Sequence, residues 1–255
     1  MKIKEGDRIL LYFTARKRWL INAAEGFKMH THQGYVDLTE AIGKEYGSKI
    51  QSNMGVEFYL LKPSMEDYVM KSLRKTQVVY PKDMGLLASK SGLSSGWKVV
   101  ESGTGSGVMT CFLANLVRPD GHVYSYDLRE EFLEVAKKNL ERCGLSQFVT
   151  LKKADVRNGI DVSEADLGVL DIGDQWAAIN SFKESLAGSG MLVAVSPTMN
   201  QVEKTVIELN NQGFVSIESV EVITRPIESR PGITRPSTRM IGHTAYLTFA
   251  RKIIQ

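Results

Sequence analysis

A short stretch of the chain combines an acidic residue with alternating glycines, in the sequence Glu101-Ser-Gly-Thr-Gly-Ser-Gly107 directly after an apolar run. Glycine allows the backbone to approach a ligand closely. A dinucleotide fingerprint needs a glycine where Val108 stands, and no Gly-Lys-Ser/Thr follows as it does in a P-loop. An acid placed before such glycines suits a cationic group, so the pattern favours a ligand that is positively charged and lacks phosphate.

Two further acids follow the next two predicted strands. Asp127 can accept hydrogen bonds from both hydroxyls of a ribose, and Asp155 is placed to meet the amine of an adenine. S-adenosylmethionine fits these acids because it carries an ammonium and a sulfonium but no phosphate. A tight turn with incidental surface acids is the alternative. The predicted cofactor-binding residues are Glu101, Gly103, Gly105, Ser106, Gly107, Asp127, Leu128, Asp155 and Val156.

The catalytic residues predicted from the sequence are Asp171 and Tyr80. Asp171 follows the fourth strand of the pattern, where a carboxylate can accept a hydrogen bond from the nucleophile or balance charge that develops on it. A helix N-cap without chemistry is the alternative for Asp171, and Asp174 is expected to support it. Tyr80 precedes a predicted helix that begins near Pro81 and is placed to stack on a planar substrate, with ordinary packing as the alternative.

Two different patterns of elements must position these residues. Residues 1–63 alternate in short runs and predict a small β-rich domain, and residues 64–75 predict a connecting helix. Residues 76–255 alternate between strands and helices, which predicts a parallel sheet covered by helices, with an antiparallel last strand. The predicted class is therefore α/β, with a Rossmann-like domain behind the small β-rich domain.

Composition excludes several classes of protein. The chain has 255 residues, with 32 Lys+Arg against 29 Asp+Glu and a net charge of +3, so any basic surface must be local. No apolar run reaches the roughly 18 residues of a membrane helix, and the first residues are charged, unlike a secretory signal. Cysteines too far apart for a CxxC motif favour a reducing cytoplasm. His30 and His32 have no neighbouring acids or cysteines, so no metal is expected.

Beyond the glycine loop, motifs along the whole chain resemble the tRNA adenine-N1 methyltransferases that modify position 58 of the T loop. The resemblance is carried most specifically by the N-terminal domain, by Asn200-Gln201-Val202 and by the ending His243-Thr-x-Tyr246. It also includes Tyr80-Pro-Lys-Asp83, Tyr126-Asp127, Ser196-Pro197 and Arg235-Pro.

The resemblance implies a class I methyltransferase that moves a methyl group from S-adenosylmethionine to N1 of adenine in tRNA. It also implies a homotetramer, with Asp171 as the catalytic aspartate and Tyr80 near the target base. One departure concerns the reactive loop, where the family usually has prolines and this chain has Gly173 and Gln175. Since proline fixes φ and glycine does not, we expect a less rigid loop.

An enzyme that methylates adenine N1 must extrude the base and bind the tRNA backbone. Residues 224–239, between the last two predicted strands, supply the expected phosphate contacts Arg225, Arg230, Arg235 and Arg239. Solvated loops are the alternative, and they explain a second basic cluster at Arg16-Lys-Arg18 equally well. Two other functions stay open: a methyltransferase of the same fold that acts on a small molecule or protein, and a non-catalytic RNA-binding subunit.

Overall fold

A computed structural model describes residues 1–254. The chain divides into two compact units, Met1–Ser72 and Leu73–Gln255. Within the described residues, every helix is too short or too polar to cross a lipid bilayer.

The first unit is a small antiparallel β structure. Its four-stranded sheet has the order β2-β1-β6-β5, and a separate hairpin pairs β3 with β4. Alternation explains the core: Phe58 and Leu60 of β6 are buried while their neighbours Glu57 and Tyr59 face solvent. The elements are β1 (Arg8–Tyr12), β2 (Arg18–Asn22), β3 (Lys28–Thr31), β4 (Gly34–Asp37), a 3-10 helix (Leu38–Ala41), β5 (Lys49–Gln51), β6 (Glu57–Leu61) and α1 (Met65–Met70).

The helix that the sequence predicts over residues 64–75 is shorter in the structure. It begins with a capping box between Ser64 and Asp67 and ends at Met70. The backbone of Leu73 is bonded to a side chain instead of along a helix: its N–H donates to Asn139 Oδ1 (3.0 Å) and its carbonyl accepts from Asn139 Nδ2 (2.9 Å). Sequence periodicity cannot detect this long-range contact, so the predicted helix was too long.

The second unit is a seven-stranded sheet flanked by helices, with the strand order β12-β15-β11-β10-β7-β8-β9. All neighbouring strands are parallel except that β15 runs antiparallel to β11 and β12. Its helices are α2 (Pro81–Ser91), α3 (Val108–Val117), α4 (Glu130–Cys143), α5 (Ile179–Ser185) and α6 (Met199–Asn211), with 3-10 turns at Ser146–Phe148, Val156–Asn158 and Gln175–Ala178. The strands of this sheet are β7 (Lys98–Ser102), β8 (His122–Asp127), β9 (Val149–Lys153), β10 (Ala165–Leu170), β11 (Leu186–Ser196), β12 (Val215–Glu221) and β15 (Tyr246–Arg251). A separate two-stranded sheet consists of β13 (Ile227–Arg230) and β14 (Ile233–Pro236).

This arrangement confirms the predicted fold class, including the antiparallel last strand. The central strands β7 and β10 are buried along most of their length, as expected for parallel strands covered on both faces. From β7 the chain adds β8 and β9 on one side of the sheet, and then β10 and β11 on the other. The carboxyl ends of β7 and β10 therefore flank the point where strand order reverses, which is where open α/β sheets bind ligands.

The arginine-rich insertion, residues 224–239, has regular structure that was not predicted from the sequence. It contains the hairpin β13–β14, in which Arg230 pairs with Ile233 across Pro231-Gly232. Gly232 has a φ of +76°, which is the conformation that the second corner of a type II turn requires, and proline is favoured at the first corner. The Pro-Gly pair was the sequence signal for this hairpin.

Candidate active site

A cavity of about 480 Å³ opens at the carboxyl edge of the parallel strands. It brings together most of the cofactor-binding and catalytic residues predicted from the sequence. Those in its lining are Gly103, Gly105, Asp127, Leu128, Asp155, Val156 and Asp171. Three successive strand ends and the glycine loop thus meet at one cavity, as the parallel topology requires.

The other four residues predicted to bind the cofactor or to be catalytic do not line this cavity: Glu101, Ser106, Gly107 and Tyr80. Tyr80 is the N-cap residue of α2 and is partly buried, while Gln77, three residues earlier, reaches the lining. Gly107 has a φ of +72°, and a Cβ there would lie 2.6 Å from the Cβ of Ala136, so its role in the structure is the close packing of α3 against α4.

Glu101 is fully buried at the end of β7. Its Oε2 accepts hydrogen bonds from Ser125 Oγ (2.6 Å) and Thr110 Oγ1 (2.6 Å), whereas Oε1 has no partner within residues 1–254. Burial raises the pKa of Glu101 to about 7 despite these hydrogen bonds, and the neighbouring carboxylates Asp171 and Asp127 contribute in the same direction. A buried acid with an unused oxygen can accept a cationic donor.

Gly103 is where the glycine loop contacts the loop that carries Asp171. Its N–H donates to the carbonyl of Tyr126 (2.9 Å), and its φ is +89°. A Cβ built at this position would lie 2.0 Å from the backbone oxygen of Asp171. Only glycine fits, because a side chain would have to displace backbone that carries the predicted catalytic residue.

Sequence reasoning missed the side chains that hold the glycine loop in place. Asn139, buried on α4, donates to the carbonyl of Ser106 (2.8 Å). Ser106 Oγ in turn accepts from the N–H of Lys75 (3.0 Å) and lies 3.0 Å from Thr76 Oγ1. The signal for Asn139 was its place among the inward-facing apolar residues of an amphipathic helix, where a polar side chain needs a hydrogen-bond partner.

Asp127 and Asp155 differ in their surroundings. Asp127 is 8% exposed, and its carboxylate accepts from the N–H groups of Gly105 (2.9 Å) and Arg129 (3.0 Å). Asp155 is paired with Arg157, whose Nε and Nη2 lie 2.8 Å and 2.7 Å from its two oxygens. These hydrogen bonds lower the pKa of Asp155, so the carboxylate stays ionised.

Arg157 is a further lining residue that the sequence did not indicate. Besides Asp155 it binds Asp174, with Nη1 2.6 Å from Oδ2. It therefore joins the loop after β9 to the loop after β10 across the cavity. Nothing in the spacing of these residues signals the contact, because Asp174 lies on a different strand end.

Asp171 begins the loop after β10. Its N–H donates to the carbonyl of Ser102 (2.9 Å), which extends the β7–β10 pairing by one residue. The side chain keeps partial exposure in the cavity wall, but the protein atoms packed around it raise its pKa to about 7. At Gln175, the second position where the family usually has proline, the side chain is fully buried and hydrogen-bonded.

The four predicted substrate-binding arginines lie on or beside the β13–β14 hairpin, outside the cavity lining. All four are exposed. Arg225 Nε donates to the carbonyl of Ser237 (3.3 Å), and Arg235 pairs with Glu228 across the hairpin (3.3 Å). The side chains of Arg230 and Arg239 make no polar contact with any described residue. Over residues 1–254, no cluster of three potential metal ligands is present.

Comparison with known proteins places this site in a family. The family described as tRNA methyltransferase complex GCD14 subunit matches residues 57–232, more than half of the chain. The chain belongs to this family.

Individual relatives of this GCD14 family member agree over nearly its full length. It is 38% identical, over 88% of both chains, to the tRNA (adenine(57)-N(1)/adenine(58)-N(1))-methyltransferase TrmI of Methanocaldococcus jannaschii. The crystal structure of tRNA (m1A58) methyltransferase TrmI from Aquifex aeolicus superposes with a TM-score of 0.86 at 30% identity, covering 100% of both chains. A structure described as a SAM-dependent O-methyltransferase from Thermotoga maritima superposes with a TM-score of 0.93 at 38% identity, covering 100% of this chain and 96% of that one.

The raised pKa values predict how stability depends on pH. The folded protein holds more protons than the unfolded chain between about pH 4 and 7, so charging Glu101 lowers the free energy of unfolding as pH rises. The free energy of unfolding of Glu101→Gln, relative to that of wild type, should therefore increase by on the order of 3 kcal/mol from pH 5 to pH 8. Urea unfolding without added ligand measures this difference. Glu203→Gln, at an exposed position of α6, is the control and should gain under about 0.5 kcal/mol. An equal gain in both variants would contradict the assignment.

Proposed function

We propose that this protein transfers a methyl group from S-adenosylmethionine to N1 of adenine at position 58 in the T loop of tRNA. The observation that carries the proposal is the single cavity in which Asp127, Asp155 and Asp171 surround a glycine loop, in a member of the GCD14 family. Its TrmI relatives are named for adenine N1 of tRNA. The fold and the strand-end acids support the cofactor, and the relatives support the base.

The residues around the cavity fit S-adenosylmethionine. Asp127 is fixed by backbone N–H groups and keeps acceptor capacity for ribose hydroxyls. Asp155 and the backbone of Val156 would meet the adenine, and the unpartnered oxygen of Glu101 matches a cationic group. When bound, S-adenosylmethionine supplies an electrophilic methyl group on a sulfonium. The chain's own contribution is to hold that group beside Asp171 and to exclude water.

Asp171 would act on the target base. As a carboxylate, it would accept a hydrogen bond from the N6 amine of adenine and stabilise the positive charge left on the methylated ring. Since its pKa is about 7, it is largely neutral at pH 6 and largely charged at pH 8. Methyl transfer should therefore increase with pH across this range. Tyr80, outside the cavity lining, is proposed only to stack on the base as tRNA enters.

The arginine hairpin is the proposed tRNA contact. Arg225, Arg230, Arg235 and Arg239 are exposed and accompanied by a single acid, Glu228. Such a local basic surface reconciles RNA binding with a net charge of only +3. The family resemblance further supports self-association as a homotetramer and a location in the cytoplasm. In a homotetramer, several hairpins would contribute to one basic surface.

The similar structure described as an O-methyltransferase favours a second candidate, a small-molecule or protein methyltransferase of the same fold. This candidate leaves the arginine hairpin without a function. A non-catalytic RNA-binding subunit is a weaker candidate, because it would have no use for the acids that line the cavity.

One assay separates these functions. The purified protein is incubated with methyl-labelled S-adenosylmethionine and unmodified tRNA transcript, and methylated bases are mapped. We expect label on adenine N1 at position 58. Asp171→Ala and the isosteric Asp171→Asn should abolish transfer while leaving the Kd for S-adenosylmethionine within about twofold, because Asp171 acts on the base. Label on protein or a metabolite, with none on RNA, would overturn the proposal. A collapse of cofactor affinity would make Asp171 a cofactor ligand.

The hairpin makes a separate prediction about salt. Replacing Arg230 and Arg239 with alanine should raise the KM for tRNA on the order of tenfold and reduce the slope of log K against log salt by about one to two. The Kd for S-adenosylmethionine should not change, since neither residue lines the cavity. Arg251→Ala, an exposed position on β15, is the matched control. An unchanged salt slope in the double variant would place tRNA elsewhere.

A further inference from the structure

The loop that carries Asp171 is held by a buried amide. Gln175 is fully buried, and its Nε2 donates to the carbonyls of Leu170 (3.3 Å) and Val195. Its Oε1 accepts from Ser196 Oγ (2.7 Å) and Thr205 Oγ1 (3.2 Å). A primary amide offers two donors and two acceptor positions. All four are used here, so neither a carboxylate nor an apolar side chain of the same size can replace it.

These contacts close the loop on itself and connect it to two other elements. Leu170 is the residue directly before Asp171, so the bond to its carbonyl bridges both ends of the loop. Val195 and Ser196 belong to the end of β11, and Thr205 lies on α6, where it is also fully buried. Gln175 therefore fixes the loop by both its ends instead of allowing it to swing from one.

A second glutamine holds the middle of the same loop. Gln201 Nε2 donates to the carbonyl of Gly173 (2.9 Å), and its Oε1 accepts from Thr198 Oγ1 (2.9 Å). This bond restrains Gly173, whose backbone would otherwise be free to rotate because glycine has no side chain. Both glutamines act on backbone groups of the loop, and neither needs a proline to do so.

We propose that Gln175, assisted by Gln201, is a positioning residue for methyl transfer, which holds the Asp171 carboxylate at the cavity wall. The proposal rests on the proposed function for its catalytic consequence. Without the amide, the carbonyls of Leu170 and Val195 and the hydroxyls of Ser196 and Thr205 lose a buried partner. Water must then enter to satisfy them. The loop loosens, and Asp171 becomes both displaced and more hydrated.

The test compares Gln175→Leu and Gln201→Leu with wild type in steady-state methylation of tRNA. Gln175→Leu should lower kcat on the order of tenfold to a hundredfold, since small displacements of reacting groups have effects of this size. Gln201 lines the cavity, and Gln201→Leu removes its partly exposed bond to Gly173 without leaving a buried group unpaired, so kcat should fall on the order of threefold. In Gln175→Leu the Kd for S-adenosylmethionine should stay within about twofold, because Gln175 lies outside the cavity lining. Gln212→Leu loses a comparable bond to Glu208 (2.7 Å) beyond the far end of α6 and should match wild type.

The pH profile supplies a readout that a merely structural role would not move. Hydration of Asp171 favours its charged form, so the rise of kcat with pH should shift below the wild-type midpoint in Gln175→Leu. An unshifted profile with wild-type kcat would overturn the positioning role. So would a loss of kcat matched by an equal loss of cofactor affinity, because that pattern marks general damage to the site.

Amide hydrogen exchange keeps this test separate from the proposed function. In Gln175→Leu, exchange should increase in residues 171–176, while residues 103–107 remain as protected as in wild type. If wild type transfers no methyl group to tRNA, the proposed function fails and the exchange pattern alone decides whether Gln175 holds the loop. If wild type is active and exchange at residues 171–176 is unchanged, the positioning role fails and the function stands.

Discussion

Two carboxylates at the ends of neighbouring parallel strands set the conditions for the whole site. Glu101, the last residue but one of β7, is fully buried, and Asp171 follows β10 in the cavity wall. Burial raises the pKa of each to about 7, and the charge of Asp171 contributes to the value of Glu101. Burying ionised acids without a cation is costly. A cationic ligand group beside Glu101 and a base that becomes cationic beside Asp171 would each relieve this cost.

The rest of the structure fixes the positions of these acids. Gly103 allows the two strand ends to meet, because any side chain there would collide with the backbone of Asp171. Arg157 keeps Asp155 ionised while binding the loop beyond Asp171. Gln175 supplies from within the core the rigidity that prolines would supply through the backbone. Precision at the cavity therefore depends on buried hydrogen bonds and on one close backbone contact.

The separation of interacting residues along the chain decides which features of the fold and site could be predicted from the sequence. Strand-end acids were predictable, since parallel strands bring their carboxyl ends to one edge whatever lies between them. Arg157 and Gln175 were not, because their partners are distant in sequence and hydrogen bonding leaves no periodic signal. The helix predicted over 64–75 was too long for the same reason, as Asn139 holds the backbone of Leu73. Pro231-Gly232 is a sequence signal for the β13–β14 hairpin, which was not predicted. The substrate was inferred from the resemblance to a known family, because the chemistry of the site residues alone does not specify it.

The proposed function requires that N1 of one adenine receives the methyl group, and replacing that atom tests this requirement directly. A tRNA carrying 1-deazaadenosine at position 58 keeps the shape of the base and its N6 amine but has a C–H in place of N1. With labelled S-adenosylmethionine, we expect no transfer to this position, and full transfer to a matched tRNA carrying adenosine. Equal labelling of the deaza base would show that another atom is methylated and would contradict methylation at N1.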